Sequence, residues 1–196
     1  MFRLFFISSN KGKYNDYVQI INSLYLTENI RIQIINPEKE EAVYETFQKT
    51  AYHKLVSNIP DKIDSNDVVY FAEDSGIVIH ALNGFPGVFS SHVLKTIGLN
   101  GIIKLMDDNK NRKAKFICAI SYLYKGKVKT VTAQIIGKIS EIPKGNQGFG
   151  YDPVFIPRGY TKTFAEDLNL KNSLSHRRLA FVKMLKQLKI MGGSNA

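Results

Sequence analysis

The chain has 196 residues, 44% hydrophobic and 11% aromatic, enough to bury a sizeable core as one globular unit. Twenty-seven Lys and Arg against seventeen Asp and Glu give a formal charge of +10, which points to a polyanionic partner, nucleic acid or a phosphate-rich small molecule. The single cysteine, Cys118, excludes a disulfide framework and a thiolate metal cluster, and no apolar run matches a signal-peptide core or a membrane span, so a soluble cytoplasmic protein is expected.

Residues 1–7 read as a buried strand, and Asn10 stands as a helix N-cap ahead of Tyr14, Tyr17, Val18, Ile21 and Leu24 at helical spacing. Residues 31–35 form a second short strand and residues 46–56 a weaker helical pattern through Phe47, Ala51 and Leu55. An inner strand is expected over 68–72 and extended chain over 77–82, with a polar turn at Asp74-Ser75-Gly76 between them. Residues 94–106 read as helical turns interrupted by Gly98 and Gly101, and residues 114–124 and 128–136 as a hairpin turning at Lys125-Gly126-Lys127. The last helix starts at the cap Ser175, with Leu174 and Leu179 as a hydrophobic staple, and runs to about residue 190, leaving 191–196 as a flexible tail. With no internal repeat or linker, the architecture is α/β, a mixed sheet flanked by helices.

Four polar constellations carry the chemistry. Ser8, Ser9, Asn10, Lys11 and Lys13 form a loop between strand and helix, where free N–H groups and two lysines favour an anion. The loop is not a Walker A motif, and taken alone an ordinary capped helix with surface lysines is the better explanation of it. Glu73, Asp74 and Ser75 place two carboxylates at a strand end, pointing to different sides because side chains alternate, so one suits a metal and the other an orienting or basic role. Mg²⁺ needs only one or two carboxylates with phosphates and water, although an Asp-Ser-Gly turn accounts for the same residues. Phe149, Gly150, Tyr151 and Asp152 lie on a glycine-rich loop whose aromatics, read as exposed, suit stacking on a flat base, or a plain turn. Lys171, Ser175, His176 and Arg177 gather at the start of the last helix, His176 and Arg177 on its rim, where the dipole disfavours cations and an anionic or electron-rich partner compensates.

In order and content these segments resemble the inosine triphosphate and xanthosine triphosphate pyrophosphatase family over nearly the whole chain. Ser8, Asn10 and Lys13 match its S/T-x-N-x-x-K opening, Phe71 to Gly76 its acidic strand, and Ala81 to Gly87 its A-L-x-G-x-P-G segment. Phe149 to Pro153 match F-G-Y/W-D-P, and Thr163 to Glu166, Lys171 and Ser175-His176-Arg177 match the closing T-F/Y-A-E, K and S-H-R. The sequence departs from many bacterial members at Ser91-His92, where they carry an arginine after the serine or alanine, and at Gln147 in place of a glycine.

The resemblance implies an elongated mixed sheet in two lobes with a central nucleotide cleft, one domain over residues 1–190, and a homodimer. It implies hydrolysis of ITP, dITP and XTP to monophosphate and pyrophosphate with Mg²⁺ as cofactor. Asp74 is then the general base or a metal-holding acid with Glu73 beside it, and Glu38, or Glu40 or Glu41, supplies a second metal ligand. Lys49 or Lys54 reaches phosphate, Phe149 and Tyr151 stack on the base, and His176 and Arg177 offer donors to its 6-oxo group. Two alternatives stand beside this reading: a Maf-like pyrophosphatase of modified pyrimidine nucleotides, and a basic non-catalytic nucleic-acid binder. Against the second, the densest basic group, residues 110–115, lacks interleaved aromatics.

Overall fold

The computed structural model describes residues 1–38, 42–60 and 67–191. They form β1 (Phe2–Ile7), α1 (Lys11–Ser23), β2 (Ile30–Ile35), α2 (Phe47–Val56), β3 (Val68–Ile79), α3 (Ser90–Thr96), α4 (Gly98–Leu105), β4 (Lys113–Tyr124), β5 (Lys127–Ile139), β6 (Phe155–Pro157), α5 (Leu168–Leu174) and α6 (His176–Gln187). The described strands make one six-stranded sheet, ordered β2-β1-β3-β4-β5-β6. β1 lies parallel to β2 and β3 and the other pairs are antiparallel, so the sheet is mixed, as expected.

Two apolar cores divide the length of this sheet. Leu4, Phe6, Val69, Phe71, Ile120 and Tyr122 from the strands are buried with Tyr17 and Ile20 of α1 and Phe181 and Met184 of α6. Farther along the same strands, Ile77, Ile79, Ala114 and Phe116 join Val93 of α3, Ile102 of α4, Phe155 and Phe164. Each fully buried Leu, Ile or Phe contributes roughly 1.5–3 kcal/mol relative to exposure. Odd positions of β3 face these cores, while the even position Ala72 packs with Leu55 of α2 on the opposite face.

The seam between the cores falls on Glu73, Asp74, Ser75 and Gly76, where a turn was expected. Instead β3 runs unbroken for 12 residues and pairs with β4 from Tyr70↔Leu123 to Ile79↔Ala114. Polar residues at this spacing imitate a turn locally; β4 satisfies their backbone and buried cations satisfy their charge. β1 stops at the pair Ile7↔Ala72, so beyond it the other edge of β3 opens into a cleft, bridged again at Val78↔Pro86. Gly76 is required by close packing: a Cβ there would lie 2.3 Å from Ser90 Oγ. That approach lets Ser90 Oγ accept the Ile77 N–H at 2.9 Å and donate to the Gly87 carbonyl at 2.6 Å, seating α3 on β3.

The β4–β5 hairpin forms as expected and turns at Lys125 and Gly126, with φ of 49° and 71°. Residues 94–106 divide at Gly98, whereas Gly101 lies inside α4. Ser175 caps α6 by accepting the Arg178 N–H at 3.3 Å, but the helix ends at Gln187, short of residue 190. Leu174 packs on the second core while Leu179 is 40% exposed, so the expected staple does not bury both partners. α5, unforeseen, is capped by Asp167, whose side chain accepts the Leu170 N–H at 3.0 Å.

Candidate active site

A cavity of about 400 Å³ opens at the seam. At one side β1 gives way to α1 through Ser8, whose buried Oγ accepts the Asn10 N–H at 3.1 Å. Asn10 Oδ1 in turn accepts the Lys13 N–H at 3.0 Å. The other first-turn N–H groups of α1 have no intrahelical partner, which biases the loop toward an anion. Ser8, Ser9, Asn10 and Lys13 all line the cavity, joined by Lys54 of α2. Lys11 is exposed and outside the lining.

The adjacent acids point to opposite faces of β3, as their alternation predicts. Glu73 is buried on the α1 and α6 face, where Arg177 Nε and Nη2 donate to its two oxygens at 2.9 and 3.0 Å. Lys13 Nζ lies 3.1 Å from Oε1, Ser75 Oγ donates to the same oxygen at 2.8 Å, and the Tyr17 hydroxyl donates to Oε2. Burial pushes the Glu73 pKa up, but Arg177 and then Lys13 outweigh it and hold the carboxyl well below its usual range. Asp74, on the cavity side, has a buried Oδ2 without a hydrogen-bond partner among the described residues. Burial lifts its pKa to about 6 against the opposing Lys13 charge, with Glu73 adding to the rise.

Glu73 belongs to a buried ionic network that sequence reasoning did not foresee as a unit. Arg177 Nη1 donates to Asp16 Oδ2 at 2.6 Å, and Lys171 Nζ lies 2.9 Å from both Asp16 Oδ1 and Asp152 Oδ2. Asp16 and Tyr17 were missed as site-forming residues. The available signal was an acid beside the apolar stripe of α1, where an unpaired charge would be costly. His176 and Arg177, expected on the rim of the helix, are only 3% and 2% exposed. The carboxylates of Glu73 and Asp16 pair with the Arg177 guanidinium and make its burial possible. Lys171, expected against substrate, is likewise buried and lies outside the cavity lining.

The opposite side of the cavity carries the aromatic loop. Asp152 Oδ2 accepts the Phe149 N–H at 2.8 Å, and a Cβ on Gly148 would sit 2.3 Å from that oxygen, so glycine permits the turn. Phe149 is half-buried, with Lys171 Nζ 4.5 Å and Arg177 Cζ 5.5 Å from its ring centroid. Tyr151, expected as an exposed stacking ring, is 5% exposed and donates its hydroxyl to the Ser90 carbonyl at 2.8 Å, because the second core takes its ring. Beside them His176 stacks on Phe116 at 4.5 Å, its Nδ1 buried and without a described partner. Burial, followed by the Arg177 charge, holds its pKa well below 6.5, so the ring is neutral.

Of the two candidate phosphate lysines, Lys54 is 8% exposed and lines the cavity. Lys49 is exposed and paired with Glu45 at 3.1 Å, outside the lining. Glu38 is exposed and also outside the lining, its N–H held by Asn58 Oδ1 at 2.8 Å, whereas Glu40 and Glu41 lie outside the described residues. Among the described residues no group of three or more His, Cys, Asp or Glu is arranged to hold a metal, and no helix is long and apolar enough to cross a membrane.

Comparison with known proteins gives a consistent result. The model of the Ham1 family matches residues 4–187. The dITP/XTP pyrophosphatase of Thermococcus kodakarensis is 38% identical over 95% of this chain and 97% of its own length. That of Methanopyrus kandleri is 38% identical over 91% and 92%. Among solved structures, the Ham1 protein of Staphylococcus aureus aligns with a TM-score of 0.76 at 26% identity, covering 95% of this chain and 98% of that one. A HAM1 protein from Coxiella burnetii aligns equally well, with a TM-score of 0.76 at 26% identity over 97% of this chain and 100% of its own.

Proposed function

The chain belongs to the Ham1 family, and on that premise we propose that it is a nucleoside triphosphate pyrophosphatase, converting dITP, ITP and XTP to the monophosphate and pyrophosphate. The names of its full-length relatives support this reading and weigh against a Maf-like pyrimidine enzyme or a nucleic-acid binder. The observation that carries it is Asp74, a half-buried carboxylate whose buried Oδ2 has no hydrogen-bond partner among the described residues, in a cavity also lined by Lys13, Lys54 and the loop before α1. A chain of phosphates suits those cations and helix-start N–H groups, and its reacting phosphorus belongs beside Asp74.

Mg²⁺ fits this acid set, because it takes one or two carboxylates and completes its shell with phosphate and water, and the orphaned Asp74 Oδ2 is an oxygen ligand of that kind. Asp74 would hold it, and Glu38, which lies exposed outside the cavity lining, is the second ligand that the family resemblance implies. When bound, the ion neutralises charge that develops on the phosphate oxygens. Asp74 orients the attacking water, which adds across the bond between the α and β phosphates. Glu73, whose oxygens are occupied, acts instead by positioning Lys13 and Arg177. Ser75, bridging Glu73 and Arg177, belongs to that support.

At the base, Phe149 offers a ring, Gly150 leaves room beside it, and Asp152 and Lys171 brace the loop. Arg177 has committed four of its five N–H donors. The remaining donor and the neutral His176 are available to a 6-oxo purine, and an adenine amino group would leave them mismatched. We extend the proposal to one domain over residues 1–190, a homodimer, and a cytosolic setting suited to the unpaired buried thiol of Cys118. Mg²⁺-dependent pyrophosphate release from dITP and XTP is the test; no release from either overturns the reading.

A further inference from the structure

We infer that Lys95 of α3 is a further phosphate-binding residue of this cavity, a cation held ready for the polyphosphate of an incoming nucleotide. The inference rests on the pyrophosphatase reading and adds to it a residue and a role. Four cationic side chains line the cavity: Lys13, Lys54, Lys95 and Arg177. Three of them are committed before any ligand arrives. Lys13 is paired with Glu73 at 3.1 Å, and Arg177 is held by Glu73, Asp16 and Ser75. Lys54 is buried and engaged with its neighbours. Lys95 makes no hydrogen bond or ion pair with any described residue.

Helix geometry directs this side chain to the cleft. Ser90, Ser91, Leu94 and Lys95 all line the cavity, and they fall on one face of α3. That helix is fixed to both sides of the site: Ser90 Oγ bonds β3 next to Gly76, and the Ser90 carbonyl accepts the Tyr151 hydroxyl at 2.8 Å. A rigid helix therefore carries a flexible four-carbon stem with an uncommitted ammonium to the cavity mouth. Because Lys95 is exposed, it reaches a ligand without breaking an existing pair. A triphosphate brings more negative charge than Lys13 neutralises while it is shared with Glu73, and a free ammonium supplies a charge-assisted hydrogen bond where the deficit lies.

The experiment compares Lys95→Met and Lys95→Arg with wild type in the full chain, measuring dITP turnover and inhibition by inorganic tripolyphosphate, a phosphate chain without base or sugar. Lys95→Met is expected to raise both the KM for dITP and the inhibition constant of tripolyphosphate about tenfold. The melting temperature stays unchanged, kcat falls less than KM rises, and Lys95→Arg restores both constants. The wild-type KM should also climb more steeply with salt than that of Lys95→Met. If wild type is active while Lys95→Met leaves both constants unchanged, or loses only kcat, the inference is wrong and the pyrophosphatase reading stands. A wild type that neither turns over dITP nor binds tripolyphosphate overturns both.

Discussion

Arg177 grips both carboxylate oxygens of Glu73, at 2.9 and 3.0 Å, across 104 residues of sequence. This contact ties the first residues of α6 to the middle of β3. It also lies where the two apolar cores meet, so one ion pair both closes the fold and shapes the cavity. Each partner is fully buried, and each is supported by others, Asp16 for Arg177 and Lys13, Tyr17 and Ser75 for Glu73.

Removing one partner leaves an uncompensated buried charge. Arg177→Met should therefore destabilise the protein by about 3–5 kcal/mol. The double variant Glu73→Gln with Arg177→Met should recover part of that loss, because the carboxylate left behind is neutralised. Denaturant unfolding of the two singles and the double measures the coupling, and simple additivity would contradict it.

Asp74→Asn keeps the size of the side chain and removes its charge. Turnover should fall by about 10²–10⁴-fold, with the melting temperature equal to or above wild type, since burial already disfavours the ionised form. A variant with full activity removes Asp74 from the chemistry.

The fold was legible where local pattern and tertiary outcome agree. The turn at Lys125-Gly126-Lys127 between the runs of the β4–β5 hairpin and the cap at Asn10 both point to what forms. The seam was not legible in the same way, because Glu73, Asp74, Ser75 and Gly76 imitate a turn until β4 is seen to pair with them. The site residues stood out by type, but their exposure did not. Tyr151, Lys171, His176 and Arg177 all look like surface groups from their neighbours in sequence, and all are buried by partners far away in the chain. Asp16 escaped notice because its partners, Lys171 and Arg177, lie 155 and 161 residues downstream. Periodicity cannot express a pairing of that range.

His176 makes stability depend on pH. Burial, then Arg177, holds its pKa well below the ordinary 6.5. Below that pH the unfolded chain binds a proton that the native ring refuses, so the stabilisation present above pH 6.5 is lost as pH falls toward the folded pKa. The melting temperature of wild type should drop more steeply between about pH 7 and 5 than that of His176→Gln. Parallel curves would show that His176 is not the group responsible.

Lys54 and Lys49 separate cleanly. Lys54→Met should raise the KM for dITP about tenfold, because a buried cavity cation is lost. Lys49→Met should leave it within about twofold, since the exposed pair with Glu45 is screened by solvent. Steady-state kinetics on both variants decides, and the reverse order would contradict the cavity as described.

The most direct measurement is the product and specificity profile of the purified chain with Mg²⁺ over dITP, ITP, XTP, GTP and ATP. Pyrophosphate and monophosphate should appear in equal amounts, with kcat/KM for dITP and XTP exceeding that for ATP by at least about 10²-fold, the discrimination expected if the proposed donors at His176 and Arg177 face the 6-position of the purine. Release of orthophosphate without pyrophosphate, or equal turnover of ATP, would contradict the account.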